Sequence, residues 1–273
     1  MNYNEVKIMG ILNCTPDSFY DGGEYFSVDK AVTQAVKLIN EGAHIIDIGG
    51  ESTRPPGNDY GTGSEFVPIE VELSRVLPVI EKILSIKRNA IISIDTFKPE
   101  VAEKAILVGA CIINDVSAGT YNETIWKVAS KFQVPYILMH GFNPSNRKSN
   151  QEYFYSNIVN EVFEFLLERI NSARSAGVKE IIADVGFGFS KGFNDNLTLL
   201  KNYKIFSNLG VATLVGLSRK SLIGKMLNDS KSDRLYGSIA ANYFALKLGA
   251  KIIRVHDVKA TKDFLEVSRI LDN

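Results

Sequence analysis

The chain has 273 residues, 45% of them hydrophobic and 23% charged, the proportions of an ordinary soluble globular protein long enough to bury a large core. Lys plus Arg and Asp plus Glu number 31 each, so no net basic field is present to draw in a nucleic acid or an anionic membrane surface, and neither is expected as a partner. No run of about 18 apolar residues and no basic leader region occur, and Cys14 and Cys111 belong to no CxxC or Cys/His cluster; a cytoplasmic chain with two reduced thiols, no disulfide framework and no structural zinc is expected.

In chain order, the first apolar run, VKIMGILN, ends on Asn13 and is followed by NCTPDSFYDGG, whose Gly, Pro, Ser and Asp suit a mobile turn-rich loop. SVDKAVTQAVKLINEG then puts Val28, Ala31, Val32, Ala35, Val36 and Ile39 on one helical stripe, with Ser27 as N-cap, Asp29 at the positive helix end and Gly42 as the stop. HIIDIGG carries Asp47 into a second loop of the same composition, GESTRPPGNDYGTG. In AIISIDTFKPEVA an apolar run stops on Asp95, and Pro99 opens a helix that closes at Gly109. CIIND ends at Asn114 and Asp115, and PYILMH at Met139 and His140. A helix follows through Ile158, Val162, Phe165, Leu166, Ile170 and Ala173 to Gly177. EIIADVG ends near Asp184; the glycine-rich run 186–192, GFGFSKG, lacks the spacing and the downstream acid of a dinucleotide-binding loop. ATLVGLS leads to Ser218, Arg219 and Lys220 at an apparent helix start, where free N–H groups favour an anion. SIAANYFALKLG is apolar nearly all round, as a buried or subunit-interface helix would be, and KIIRVHD ends on Arg254 and His256.

Eight runs that are continuously apolar rather than alternating read as strands buried on both faces, hence parallel. Interleaved with helices and unbroken by a linker, they predict a single α/β domain over residues 1–273, a (β/α)8 TIM barrel, with a doubly wound sheet as the other topology. In a barrel the strand ends form one rim, which would gather Asn13, Asp47, Asp95, Asn114, His140, Asp184, Ser218, Lys220, Arg254 and His256 around a common mouth. Acids and amides there suit a flat heterocycle with ring N–H and amino groups, while Lys220, Arg254 and His256 suit an anion such as phosphate. Each residue also has a plainer use: Asp95 or Asp184 could cap the next helix, Asn114 and Asp115 could form a turn, and His44 and His140 could be structural. Phe189 could stack on a flat ring.

The motifs MGILNCTPDSFYDGG, DIGGESTRP, IDTFKPEVA, INDVSAG, ILMH, ADVGFGF, GLSRKS and IRVHDV, spread from Met9 to Val258, together resemble the dihydropteroate synthases of folate biosynthesis. That resemblance implies condensation of 6-hydroxymethyl-7,8-dihydropterin diphosphate with 4-aminobenzoate to give 7,8-dihydropteroate and pyrophosphate, in a homodimer that sulfonamides inhibit. It implies Asp95, Asn114 and Asp184 on the pterin edge, with Lys220 near the ring and Met139 and Gly216 also among the substrate-binding residues. Asn13 would meet a Mg2+, and Arg254 and His256 the diphosphate, so that Lys220, Arg254 and His256 carry the catalytic charges. Thr53, Arg54, Pro55, Phe189 and Ser221 would bound the aminobenzoate.

The chain departs from the family pattern at Val185 in place of Pro, Ser190 in place of Gly, Cys14 in place of Val, and in GFNPSNRK after His140. Val185 frees a backbone angle that Pro would fix beside Asp184. A barrel passing a methyl group from a methylated pterin to a corrinoid partner would share the acid and amide pocket but not the diphosphate residues. A non-catalytic paralogue is the other alternative.

Overall fold

The computed structural model describes residues 3–15, 27–52, 66–141, 144, 154–189, 191–229 and 233–272. Strands and helices alternate: β1 (Lys7–Asn13), α1 (Val28–Glu41), β2 (Ile45–Gly49), α2 (Ile69–Ile86), β3 (Ile92–Asp95), α3 (Pro99–Leu107), β4 (Ile112–Asp115), α4 (Thr124–Phe132), β5 (Tyr136–Met139), α5 (Ile158–Ser175), β6 (Ile181–Asp184), α6 (Phe193–Lys201), β7 (Ala212–Val215), α7 (Ser221–Met226), α8 (Leu235–Lys247), β8 (Ile252–Val255) and α9 (Val258–Leu271). A 3-10 segment, Tyr203–Leu209, precedes β7. The strands pair in sequence order, all parallel, and β1 closes on β8 with Met9 opposite Arg254. The sheet is therefore a closed (β/α)8 barrel and not a doubly wound sheet.

Local chemistry sets the helix ends as expected. The Ser27 hydroxyl accepts from the Lys30 N–H at 3.3 Å, and α1 stops at Gly42 with φ 105°. Pro99 occupies the first turn of α3, where no intrahelical N–H is needed.

Period-two alternation along the strands separates the barrel interior from the helix-facing side. Met9, Ile45, Ile112, Ile137, Ile182, Leu214 and Ile252 form one buried apolar cluster inside the barrel, while Ile46, Ile48, Ile94, Ile113, Leu138, Ala183, Val215 and Ile253 join the larger core shared with the helices. Two residues further along the strands stand Asp47, Asn114, Met139, Asp184, Gly216 and Arg254. The apolar runs end on polar side chains because the next interior position lies at the mouth.

α8 departs in part from a helix buried all round. Its buried stripe is Ser238, Ala241, Asn242 and Ala245, while Tyr236 and Phe244 are exposed, as are Phe264, Val267, Ile270 and Leu271 on α9. The small side chains face inward and let the helix approach the barrel, and the large ones face out.

Candidate active site

Strand register brings the middle acids and amide together: Asp95 lies opposite Asn114, and Met139 opposite Asp184. Arg254, from the far end of the chain, crosses the mouth to meet them. Its Nε donates to Asp47 Oδ2 at 2.6 Å, and its Nη2 to Asp95 Oδ2 at 2.7 Å. Asn114 Nδ2 donates to the same Asp47 oxygen at 3.0 Å. Asp47 Oδ1 and Asp95 Oδ1 are buried without a hydrogen-bond partner among the described residues, so acceptor capacity remains on this side.

The electrostatics follow from burial against charge. Desolvation raises Asp95 to about 7, against the opposing pull of Arg254 and with the help of Asp47. Arg254 loses hydration too, but Asp47 and Asp95 outweigh that loss and bind its proton more tightly than usual. Desolvation raises Asp184 as well, with Lys220 opposing, and the Asp184 carboxylate is held by the Gly186 N–H at 2.8 Å. That hydrogen bond sets the posture of Asp184 beside the buried Val185, the position where the family pattern has Pro.

Lys220 caps the six-residue α7. Its Nζ donates to the Phe187 carbonyl and lies 4.8 Å from the centre of the Phe189 ring. Burial lowers its amine to about 8, and Asp184 opposes the shift. Phe189 also packs against the buried cluster of Phe97, Val116 and Met139, which makes an apolar wall at the mouth. Ile11, Phe187, Gly188, Phe189, Gly216, Ser218, Arg219, Lys220, Arg254 and His256 line a cleft of about 310 Å³, large enough for a small heterocyclic ligand. A groove of about 390 Å³, lined by Ile39, His44, Lys87, Arg88 and Ile91 among others, lies at the opposite end of the barrel, away from these charges.

At the β8 end, the His256 N–H donates to Ser218 Oγ at 3.1 Å and its Nδ1 lies 3.0 Å from the same oxygen. Surrounding protein, then the Arg254 and Arg219 charges, push the imidazole below its usual range. His256 is therefore a neutral donor or acceptor at neutral pH rather than a third standing cation. Arg219 turns outward to pair with Asp257 at 2.6 and 2.8 Å. Ser221 begins α7 and Asn13 ends β1 in an exposed position. Thr53, Arg54, Pro55 and Ser190 lie outside the described residues, as do most of the two turn-rich loops.

Some plainer uses hold. His44 Nδ1 accepts from the Ile8 N–H at 3.0 Å, and Asp115 closes a turn by accepting from the N–H groups of Ser117 and Gly119 at 2.7 Å each. His140 packs edge-on against Phe165, with ring centres 4.8 Å apart, and burial keeps its imidazole neutral. The structure adds groups that the sequence reading missed or left without a role. Asp47 anchors both Arg254 and Asn114. Lys98, buried, pairs with Glu51 and with Glu72 at 2.6 Å, tying the end of β2 to α2 and α3. Lys191 and Asn196 bind the glycine-rich run. Only the polar type of these residues was visible in the sequence, because their partners lie far away along the chain.

The arrangement can accept paired N–H donors through Asp95 and Asp184 and offer Arg254 and Lys220 to an anion. Among the described residues no three His, Cys, Asp or Glu side chains gather as a metal site. Asn13, exposed at the end of β1, carries a neutral side-chain oxygen, a donor that would suit a hydrated Mg2+ rather than an ion caged by protein.

A family model described as pterin binding enzyme matches residues 9–256. The dihydropteroate synthase of Bacillus subtilis is 42% identical over 262 residues, covering 95% of this chain and 86% of its own. The Xanthomonas albilineans dihydropteroate synthase with 4-aminobenzoic acid superposes with a TM-score of 0.89 at 40% identity, covering 100% of this chain and 95% of that one. Its complex with 7,8-dihydropteroate gives 0.86 and 39%, with the same coverage. The chain belongs to the dihydropteroate synthase family of pterin-binding enzymes.

Proposed function

We propose that this chain condenses 6-hydroxymethyl-7,8-dihydropterin diphosphate with 4-aminobenzoate, giving 7,8-dihydropteroate and pyrophosphate. The observation that carries the reading is the meeting of Asp95, Asn114 and Asp184 with Arg254 and Lys220 across one mouth. Asp95, Asn114 and Asp184 hold the pterin edge, with Met139, Gly216 and Lys220 beside its ring. Thr53, Arg54, Pro55, Phe189 and Ser221 bound the aminobenzoate. The methyl-transfer alternative has no use for the Arg254 and His256 end of the cleft.

In the reaction the arylamine nitrogen forms a bond to the pterin methylene carbon, and the carbon–oxygen bond breaks with its electron pair leaving on diphosphate. The amine then gives up one proton. Arg254 gains most as that charge grows, since its guanidinium is already held in the cleft and needs little reorganisation. His256 donates a neutral hydrogen bond to the same group, and Lys220 adds positive charge near the ring. Asn13 would contribute an oxygen to Mg2+, which when bound neutralises part of the diphosphate charge. No enzyme nucleophile is required, which agrees with a Cys14 thiol that burial pushes up to about 12.

The exposed Tyr236 and Phe244 of α8, beside Val267, Ile270 and Leu271 of α9, support a homodimer through this face. No helix among the described residues is long and apolar enough to cross a membrane, and both cysteines are free; a cytoplasmic location is the reading they support. The decisive experiment is pyrophosphate release from the purified protein with both substrates and Mg2+. Release is expected with the complete mixture and not when either substrate is omitted; no release from folded protein overturns the assignment.

A further inference from the structure

Lys191 belongs to the glycine-rich run 186–192, whose Gly186 N–H holds Asp184, whose Phe187 carbonyl accepts from Lys220 and whose Phe189 bounds the cleft. Its side chain folds back onto that run. Nζ donates to the carbonyl oxygens of Gly186 at 2.8 Å, Phe189 at 2.9 Å and, just beyond β5, His140 at 3.0 Å. An ammonium has three donors and no acceptor, so three carbonyls satisfy it.

The run needs such a tie. Gly186 and Gly188 have φ of 70° and 84°, and glycine loses more backbone freedom on ordering than any other residue. Gly186 approaches β5 so closely that a Cβ there would lie 1.9 Å from the His140 carbonyl oxygen. Buried Asn196 holds the other side: Oδ1 accepts from the Gly188 N–H at 2.7 Å, and Nδ2 donates to the carbonyls of Lys191 at 2.9 Å and Gly192 at 2.7 Å. Phe189 sits between these ties, its ring against the Phe97, Val116 and Met139 cluster and beside Lys220.

We propose that Lys191 is a positioning residue for aminobenzoate binding, stapling the 186–189 run to the end of β5 and so fixing the ring of Phe189. The inference rests on the reading of Phe189 as part of the aminobenzoate wall. Burial pushes the Lys191 amine down to about 7, with Asp184 opposing, so kinetics are compared on the acid side of neutrality, where all three donors are in place.

The experiment measures kcat and the KM of each substrate for the wild type, Phe189→Ala, Lys191→Met and the double variant. Lys191→Met is expected to raise the KM for 4-aminobenzoate about tenfold while the KM for the pterin diphosphate stays within about twofold. In the Phe189→Ala background it should add little, because both substitutions remove one shared interaction. Equal rises in both KM values, or effects that simply multiply in the double variant, overturn the inference. An unchanged KM for 4-aminobenzoate in Phe189→Ala overturns the reading of the wall, and the inference with it. If Lys191→Met does not fold, Lys191→Gln, a shorter and neutral donor, carries the same four-way comparison.

Discussion

Ile182 and Asp184 share one strand and one side of it, as do Ile112 and Asn114, or Ile252 and Arg254, yet the two members of each pair belong to opposite chemistries. The lower residues join an apolar plug inside the barrel. The upper ones belong to a set of acids, an amide and a partly buried guanidinium. Burial stabilises the first set at about 1.5–3 kcal/mol per large side chain, whereas in the second it strips water from charges and holds Asp95 and Asp184 above their usual range. One step of the strand period divides what holds the barrel together from what the barrel is for.

The sharpest way to break this division is Arg254→Ala. Loss of the group that meets the growing diphosphate charge should lower kcat/KM by about 10²–10³-fold. The same change leaves Asp47 and Asp95 facing each other without their cation, so the variant should also unfold more easily; removing one member of a buried pair commonly costs about 3–5 kcal/mol. Steady-state kinetics and urea unfolding of the same preparation read both effects. Normal kinetics in a folded variant would remove Arg254 from the reaction, and unchanged stability would show that Asp47 and Asp95 do not depend on it.

Ile182→Ala tests the lower layer from the other side. It removes buried methyl groups with little room for collapse in the barrel centre, and a loss of about 2–5 kcal/mol is expected. The kcat/KM of the protein that remains folded should stay within about threefold of wild type, since the charged layer stands one step above. A fall in kcat/KM comparable to that of Arg254→Ala would mean that the two layers are mechanically one.

The upper layer was legible in sequence as a list of strand ends and not as a network. Apolar runs stopping on Asp95, Asn114, Asp184 and Arg254 reveal the barrel, because only a closed parallel sheet turns eight such ends toward one point. The role of Asp47 was not legible: its partner Arg254 lies 207 residues away, and nothing local distinguishes an acid that touches a ligand from one that anchors an arginine. Nothing near Lys98 in the chain marks its partners Glu51 and Glu72, which lie 47 and 26 residues away. Lys191, after a glycine run, read as part of a failed dinucleotide motif because its acceptors are backbone carbonyls, which every residue has. His256 was counted with the cations by residue type, whereas its surroundings keep it neutral.

The smallest expected effect is also the most direct measure of strain in the upper layer. Asp95 is raised from 3.8 to about 7 in the folded chain. In the unfolded chain it loses its proton near the lower value; between the two, folding takes up a proton. The contribution of Asp95 to stability is therefore fully present below pH 3.8 and is lost as pH rises through about 7. Asp95→Asn lacks this titration. The unfolding free energy of wild type minus that of Asp95→Asn should fall by at least about 1.4 kcal/mol, one decade in proton affinity, between mildly acidic and mildly alkaline buffer, then level off. Parallel pH curves for the two proteins would mean that Arg254 keeps Asp95 ionised throughout and that burial has not strained it. In that case the charged layer, like the apolar one beneath it, would be satisfied before any ligand arrives.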